Sequence, residues 1–133
     1  VQLEVGQNPT SFEVEPFERT LLKCQRYFYN IQGNNQPVGT GGSWSASYLH
    51  INIRHPVEMR ANPDFIIATG SNYYSYPSGG GSWAYFTGDD DQQMVSTLGS
   101  VTQYTTGVSM TAGRSMSVHT SNASSDMAWE SEL

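Results

Sequence analysis

Short runs of aromatic and β-branched residues, cut by glycine at close intervals, leave this chain little to fold into except short strands. The stretch SNYYSYPSGGGSWAYFTG, residues 71–88, shows the pattern in miniature: two strands around a Gly-rich turn. SWSASYLHINI, residues 43–53, alternates, with Leu49, Ile51 and Ile53 on one face and Trp44, Tyr48 and His50 on the other. DFIIATG reads as a compact apolar strand, and SVTQYTTGVSMTAGRSMSVHTS as two or three strands broken at Gly107 and Gly113. At the end of the chain Met127, Trp129, Ser131 and Leu133 alternate with Asp126, Ala128, Glu130 and Glu132, as a half-buried last strand would. QGNNQPVGTGGS carries the turn signals of a loop, RHPVEMRANP reads as irregular, and DDDQQ reads as a surface loop or helical turn.

One segment breaks the pattern. Glu15-Pro16 places proline at a helix start, and Glu18 follows in the first turn. Phe17, Leu21, Cys24 and Phe28 are spaced by four, three and four, one face of a helix over about residues 17–25. From Arg26 the residues turn β-prone again. The fold class this predicts is all-β: a jelly-roll-like β-sandwich of about eight strands with one short N-terminal helix. Residues 1–14 read as a strand and linker, and 15–133 as a single domain. With 133 residues there is enough chain for one core of ordinary size.

Charged residues make up 14% of the chain and the formal net charge is -6. That argues against a cationic nucleic-acid footprint and against a polybasic membrane surface. An aromatic content of 12% argues against disorder. No apolar run approaches the roughly 20 residues of a membrane-spanning helix.

Chemistry is sparse. A single cysteine, Cys24, excludes an internal disulfide and a cysteine zinc site. Lys23 and Arg26 flank it, and nearby cations lower a thiol pKa. The helical spacing instead places Cys24 with Phe17, Leu21 and Phe28 and off the face of the two cations, so it is expected to pack as a small buried hydrophobe. There is no HExxH, CxxC or GxSxG, and GGGSWA (79–84) is followed by YFTG rather than by a helix, so it reads as a hairpin turn and not a dinucleotide loop. His50, His55 and His119 lie far apart, and the three aspartates of GDDDQQ lack the alternate spacing of a calcium loop. No catalytic residue, metal or cofactor is expected.

The aromatics clustered near the Gly-rich turn have two readings. Tyr73, Tyr74, Tyr76 and Trp83, with Tyr85, offer flat faces with polar tips that can stack on sugar rings. They can equally be core or the contact surface of an oligomer.

Two blocks carry a resemblance. QLEVGQNPTSFE (2–13) followed by LLKCQRYFYNI (21–31), and a later Pro56-Val57, Met59-Arg60-Ala61 and Pro63, resemble a module of bacteriophage virion proteins, with the WESEL ending also similar. The resemblance implies the C-terminal domain of a tail-fibre-like structural protein, a β-sandwich assembled as a homotrimer. It places the chain on the phage particle surface beside other virion proteins, where it displays or performs binding to a host cell-surface glycan. It implies no nucleic-acid partner and no membrane insertion, and QLEVG would be the last strand of a preceding carbohydrate-binding-module-like domain. A capsid-attached head fibre or decoration protein, and a non-catalytic carbohydrate-binding domain of a depolymerase, are the alternatives. Arg26, Tyr27 and Arg60 fall in the two blocks and are expected to be structural, the arginines fixing loops through their forked donors. FERTLLKC departs from the family by carrying Arg19-Thr20 where acidic residues are usual.

Overall fold

The computed structural model describes residues 14–88, 90–104 and 108–131, the side chains of 90–93 excepted. The expected strand at residues 1–5, the linker after it, the break at Gly107 and the position of Leu133 lie outside the described residues.

One helix, α1 (Phe17–Gln25), precedes ten strands: β1 (Phe28–Gln32), β2 (Pro37–Ser45), β3 (Tyr48–Arg54), β4 (Asp64–Ile67), β5 (Tyr74–Gly79), β6 (Ser82–Phe86), β7 (Asp90–Ser96), β8 (Gly99–Tyr104), β9 (Ser115–Thr120) and β10 (Asp126–Glu130). They form two antiparallel sheets, one ordered β1-β10-β4 and the other β6-β5-β9-β2-β3-β8-β7. The chain is an all-β sandwich.

The alternation in the sequence sets which side chains go inside. Leu49, Ile51 and Ile53 of β3 are buried, as are Met127 and Trp129 of β10 and Tyr74 and Tyr76 of β5. Two aromatic groups fill the space between the sheets. Trp129 packs against Tyr29 (ring centroids 5.5 Å), Phe65 (5.1 Å) and His55 (5.5 Å), and its indole N–H donates to Ser100 Oγ at 3.1 Å. Phe86 packs against Tyr74 (5.4 Å), Tyr76 (6.1 Å) and Tyr104 (4.8 Å). Tertiary pairs of this kind contribute about 0.5–1.5 kcal/mol each beyond area burial.

Two expected loops are strands. Residues 37–43, read as loop from their glycines, belong to β2, which sits between β9 and β3 in the larger sheet. Here glycine marks close approach of backbones rather than a turn: a Cβ on Gly39 would lie 2.5 Å from the Asn52 carbonyl oxygen, and one on Gly41 would collide with that of His50. Residues 90–93 of DDDQQ, read as a surface loop or helical turn, belong to β7, an edge strand held along one side by its ladder with β8. The hairpin reading of GGGSWA holds: Gly80 and Gly81, both at positive φ (61° and 80°), make the two-residue turn between β5 and β6.

Helix α1 has the expected bounds but not the expected surroundings. Pro16 stands at the N-cap, one position before the first helical residue, and its carbonyl accepts from the N–H of Arg19 (3.1 Å) and Thr20 (3.2 Å). No residue of the helix is buried. Cys24 is exposed, which overturns the expectation that it packs within the domain. Phe17, Leu21 and Cys24 lie on the helix and are exposed, whereas Phe28, expected on the same helical face, is the first residue of β1.

Candidate functional site

The hairpin β5–β6 sorts the clustered aromatics by parity, because successive side chains of a strand point to opposite faces. Tyr74 and Tyr76 point inward and are wholly buried, and they cannot stack on a ligand. The Tyr74 hydroxyl donates toward the carbonyls of Ala68 (2.8 Å) and Asp126 (2.9 Å), and that of Tyr76 receives the Ser109 N–H (3.0 Å). Tyr73 is half-buried and packed against the same core. Of the four residues singled out from sequence for ligand contact, only Trp83 faces solvent, and Tyr85, of the same parity, joins it; they are 51% and 47% exposed.

Around these two rings the fold assembles a cleft of about 360 Å³, completed by Asn34, Asn35, Ser75, His119 and Ser121. Tyr85, Ser75 and His119 lie opposite one another on β6, β5 and β9. The Trp83 and His119 rings meet edge to face at 5.5 Å and 86°, and His119 Nε2 lies 3.1 Å from Ser117 Oγ. The indole is thereby held against the sheet with one side open.

The asparagines arrive on the turn between β1 and β2. Asn35 adopts a left-handed backbone (φ 58°), a conformation asparagine tolerates better than most residues. Its N–H donates to the Thr120 carbonyl at 2.9 Å, and the next N–H, of Gln36, to Thr120 Oγ1 at 2.8 Å. The turn is therefore fixed to the end of β9 and presents Asn34 and Asn35 beside the aromatic rings. Ser121 also lines the cleft, while its Oγ is shut from bulk water and has no hydrogen-bond partner. Two aromatic faces, two amides and an imidazole suit a flat, polyhydroxylated ligand, which offers C–H faces for stacking and O–H groups for the amides.

A larger and shallower groove, about 1060 Å³, runs along β7 and β8 between Arg54, Met94, Leu98 and Val101. Its exposed lining is mostly aliphatic and brings no aromatic platform together.

The residues expected to be structural meet at one end of the sandwich. The Arg60 N–H donates to the Arg26 carbonyl (2.9 Å), the Ser131 N–H to the Tyr27 carbonyl (2.7 Å), and the Ala61 N–H to Ser131 Oγ (2.9 Å). The Arg60 guanidinium stands over the Tyr27 ring, 5.7 Å from its centroid. Three sequence blocks, around residues 27, 60 and 131, are thus tied together. Arg26 contributes its carbonyl; no described ion pair or side-chain hydrogen bond uses its guanidinium.

Each histidine has its own setting. His50 Nε2 lies 2.9 Å from Gln103 Oε1 and the ring stacks under the exposed Trp44 (6.3 Å, 21°). His55 is buried beside Trp129, with Nδ1 3.3 Å from the Thr97 carbonyl and Nε2 without a partner. Burial pushes its pKa below the ordinary histidine value, an effect the Thr97 carbonyl opposes. Among the described residues no three His, Cys, Asp or Glu side chains gather to hold a metal ion, and no helix is long and apolar enough to cross a membrane. No protein family model, no curated protein and no solved structure matches the chain.

Proposed function

We propose that this chain is a non-enzymatic, homotrimeric fibre domain of a bacteriophage virion that binds a host cell-surface glycan through the Trp83–Tyr85 cleft. The observation that carries the binding reading is the pairing of two half-exposed aromatic rings with Asn34, Asn35 and His119 around one concavity on a rigid sheet. Binding residues on elements locked by packing lose little freedom on contact with a ligand. The virion reading is supported by the CQRY and PVxMRAxP blocks and by the way the structure joins them into one scaffold.

The binding test compares two exposed tryptophans, Trp83 (51%) and Trp44 (79%). Trp83→Ala and Tyr85→Ala should each weaken adsorption of the purified protein to host cells by at least about tenfold, since aromatic anchors dominate such contacts. Trp44→Ala, on a different part of the larger sheet, should leave adsorption unchanged. Adsorption within twofold of wild type in the Trp83→Ala/Tyr85→Ala double variant rejects the cleft. Immunogold labelling of intact particles with an antibody to the domain tests the virion assignment separately.

A further inference from the structure

The cleft around Trp83 and Tyr85 is polar without being charged. Among the described residues it is lined by two asparagines, two serines, a tyrosine, a tryptophan and a histidine, and by no Lys, Arg, Asp or Glu. The carboxamides of Asn34 and Asn35 and the hydroxyl of Tyr85 can each donate and accept. A sugar hydroxyl does the same, so such pairs can form in either sense. A carboxylate, sulfate or phosphate only accepts. Ser75, buried between Tyr85 and His119, keeps the floor low. With strands about 4.8 Å apart, the backbones that carry Tyr85 and His119 stand about 10 Å from one another across it, room for one sugar ring.

The chain has 6 Lys and Arg residues, and each has a place elsewhere. Arg19 and Lys23 pair with Glu15 along α1. Arg26 follows that helix into β1, in the sheet opposite the cleft. Arg60 stands over Tyr27, and Arg54 lines the groove along β7 and β8. Arg114, just before β9, donates through Nη1 to the Ser78 carbonyl at 3.1 Å. His119 is the one basic side chain in the described lining, and its Nε2 is engaged with Ser117 Oγ at 3.1 Å. An anion entering the cleft would lose water and meet no Lys or Arg, which is costly. It would also approach a chain whose net charge is -6. A neutral ring exchanges its water for stacking and for hydrogen bonds of either sense.

We infer that the cleft takes an uncharged sugar residue and discriminates against carboxylated, sulfated and phosphorylated ones. The inference rests on the glycan-binding reading in the proposed function and adds the class of sugar. Specificity of this kind comes from what a wrong ligand would leave unpaired as much as from what the right one gains. The aromatic rings and amides hold the neutral ring, and the missing cation excludes the acidic one.

The test uses the whole chain and the surface polysaccharide extracted from cells to which it adsorbs. Biolayer interferometry measures binding to the immobilised polysaccharide, intact and after carbodiimide coupling of its carboxylates to a neutral amine. The two affinities should agree within about twofold. Raising NaCl from about 20 mM to about 500 mM should also change the affinity by no more than about twofold, because screening acts on charges. Trp83→Ala should weaken binding to both forms by at least about tenfold. Binding that depends on Trp83 but falls tenfold or more on carboxylate coupling, or on raising the salt, overturns the neutral class and leaves the cleft standing. An absence of binding to the intact polysaccharide, or binding unchanged by Trp83→Ala, overturns the cleft and this inference with it.

Discussion

Gly41→Ala tests the reason that a glycine-rich segment forms a central strand. Gly41 lies opposite Ile51 on β3 and opposite Met116 on β9, so β2 is held on both edges. A Cβ at this position would collide with the His50 carbonyl oxygen and lie 2.8 Å from the His50 carbonyl carbon and 2.9 Å from Ile51 Cα. All three are backbone atoms and cannot rotate away. Relief requires β2 and β3 to separate locally, which strains the hydrogen bonds on either side of the Gly41–Ile51 pair. Backbone hydrogen bonds contribute about 1 kcal/mol each net, and overpacking a well-fitted interior costs about 1–3 kcal/mol. The sum is about 3–5 kcal/mol, a large part of a typical domain's stability. For a domain of this size that lowers the melting temperature by roughly 10–20 °C. Thermal melting followed by circular dichroism measures it. The comparison is Gly113→Ala, at a glycine with φ 79° but no atom within 4 Å of the added Cβ; left-handed strain alone should cost about 1–2 kcal/mol. A Gly41→Ala protein that melts within a few degrees of wild type, or above Gly113→Ala, refutes the close-approach argument.

His55 should make stability fall in mild acid. Its folded pKa is depressed by burial, so the unfolded chain takes up the proton first: the stability it contributes is intact above the unfolded value near 6.5 and is lost as pH falls through the depressed folded value, with a limiting slope of about 1.4 kcal/mol per pH unit. Urea titrations should show that His55→Phe, which keeps an aromatic ring beside Trp129, flattens this part of the profile; an unchanged profile rejects His55 as its source. Arg60→Ala should lower stability by about 0.5–1 kcal/mol through loss of the Tyr27 contact, whereas Arg26→Ala should change it by less than about 0.5 kcal/mol, as expected away from specific contacts; the opposite ranking in paired melts contradicts the geometry.

What the sequence made legible followed from period and punctuation. The buried face of β3, the hairpin at Gly80-Gly81 and the alternation through Trp129 could all be read from residue order. β2 could not, because PVGTGGS has the composition of a turn and only its neighbours, β3 and β9, require backbone without side chains. β7 was equally hidden: its hairpin with β8, closed across Thr97 and Leu98, overrides the weak strand preference of DDDQQ. The site was half legible. Applying the period of two through the β5–β6 hairpin separates Trp83 and Tyr85 from Tyr74, Tyr76 and Phe86, and that signal was present in the sequence. No local signal brings Asn35 to the end of β9, or Ser121 into the same cleft as Trp83. Those depend on the Asn35 N–H finding the Thr120 carbonyl across 85 positions of chain. Seven aromatics fill the interior in the Trp129 and Phe86 groups, whereas Phe17, Phe28, Trp44, Tyr48, Trp83 and Tyr85 stay exposed.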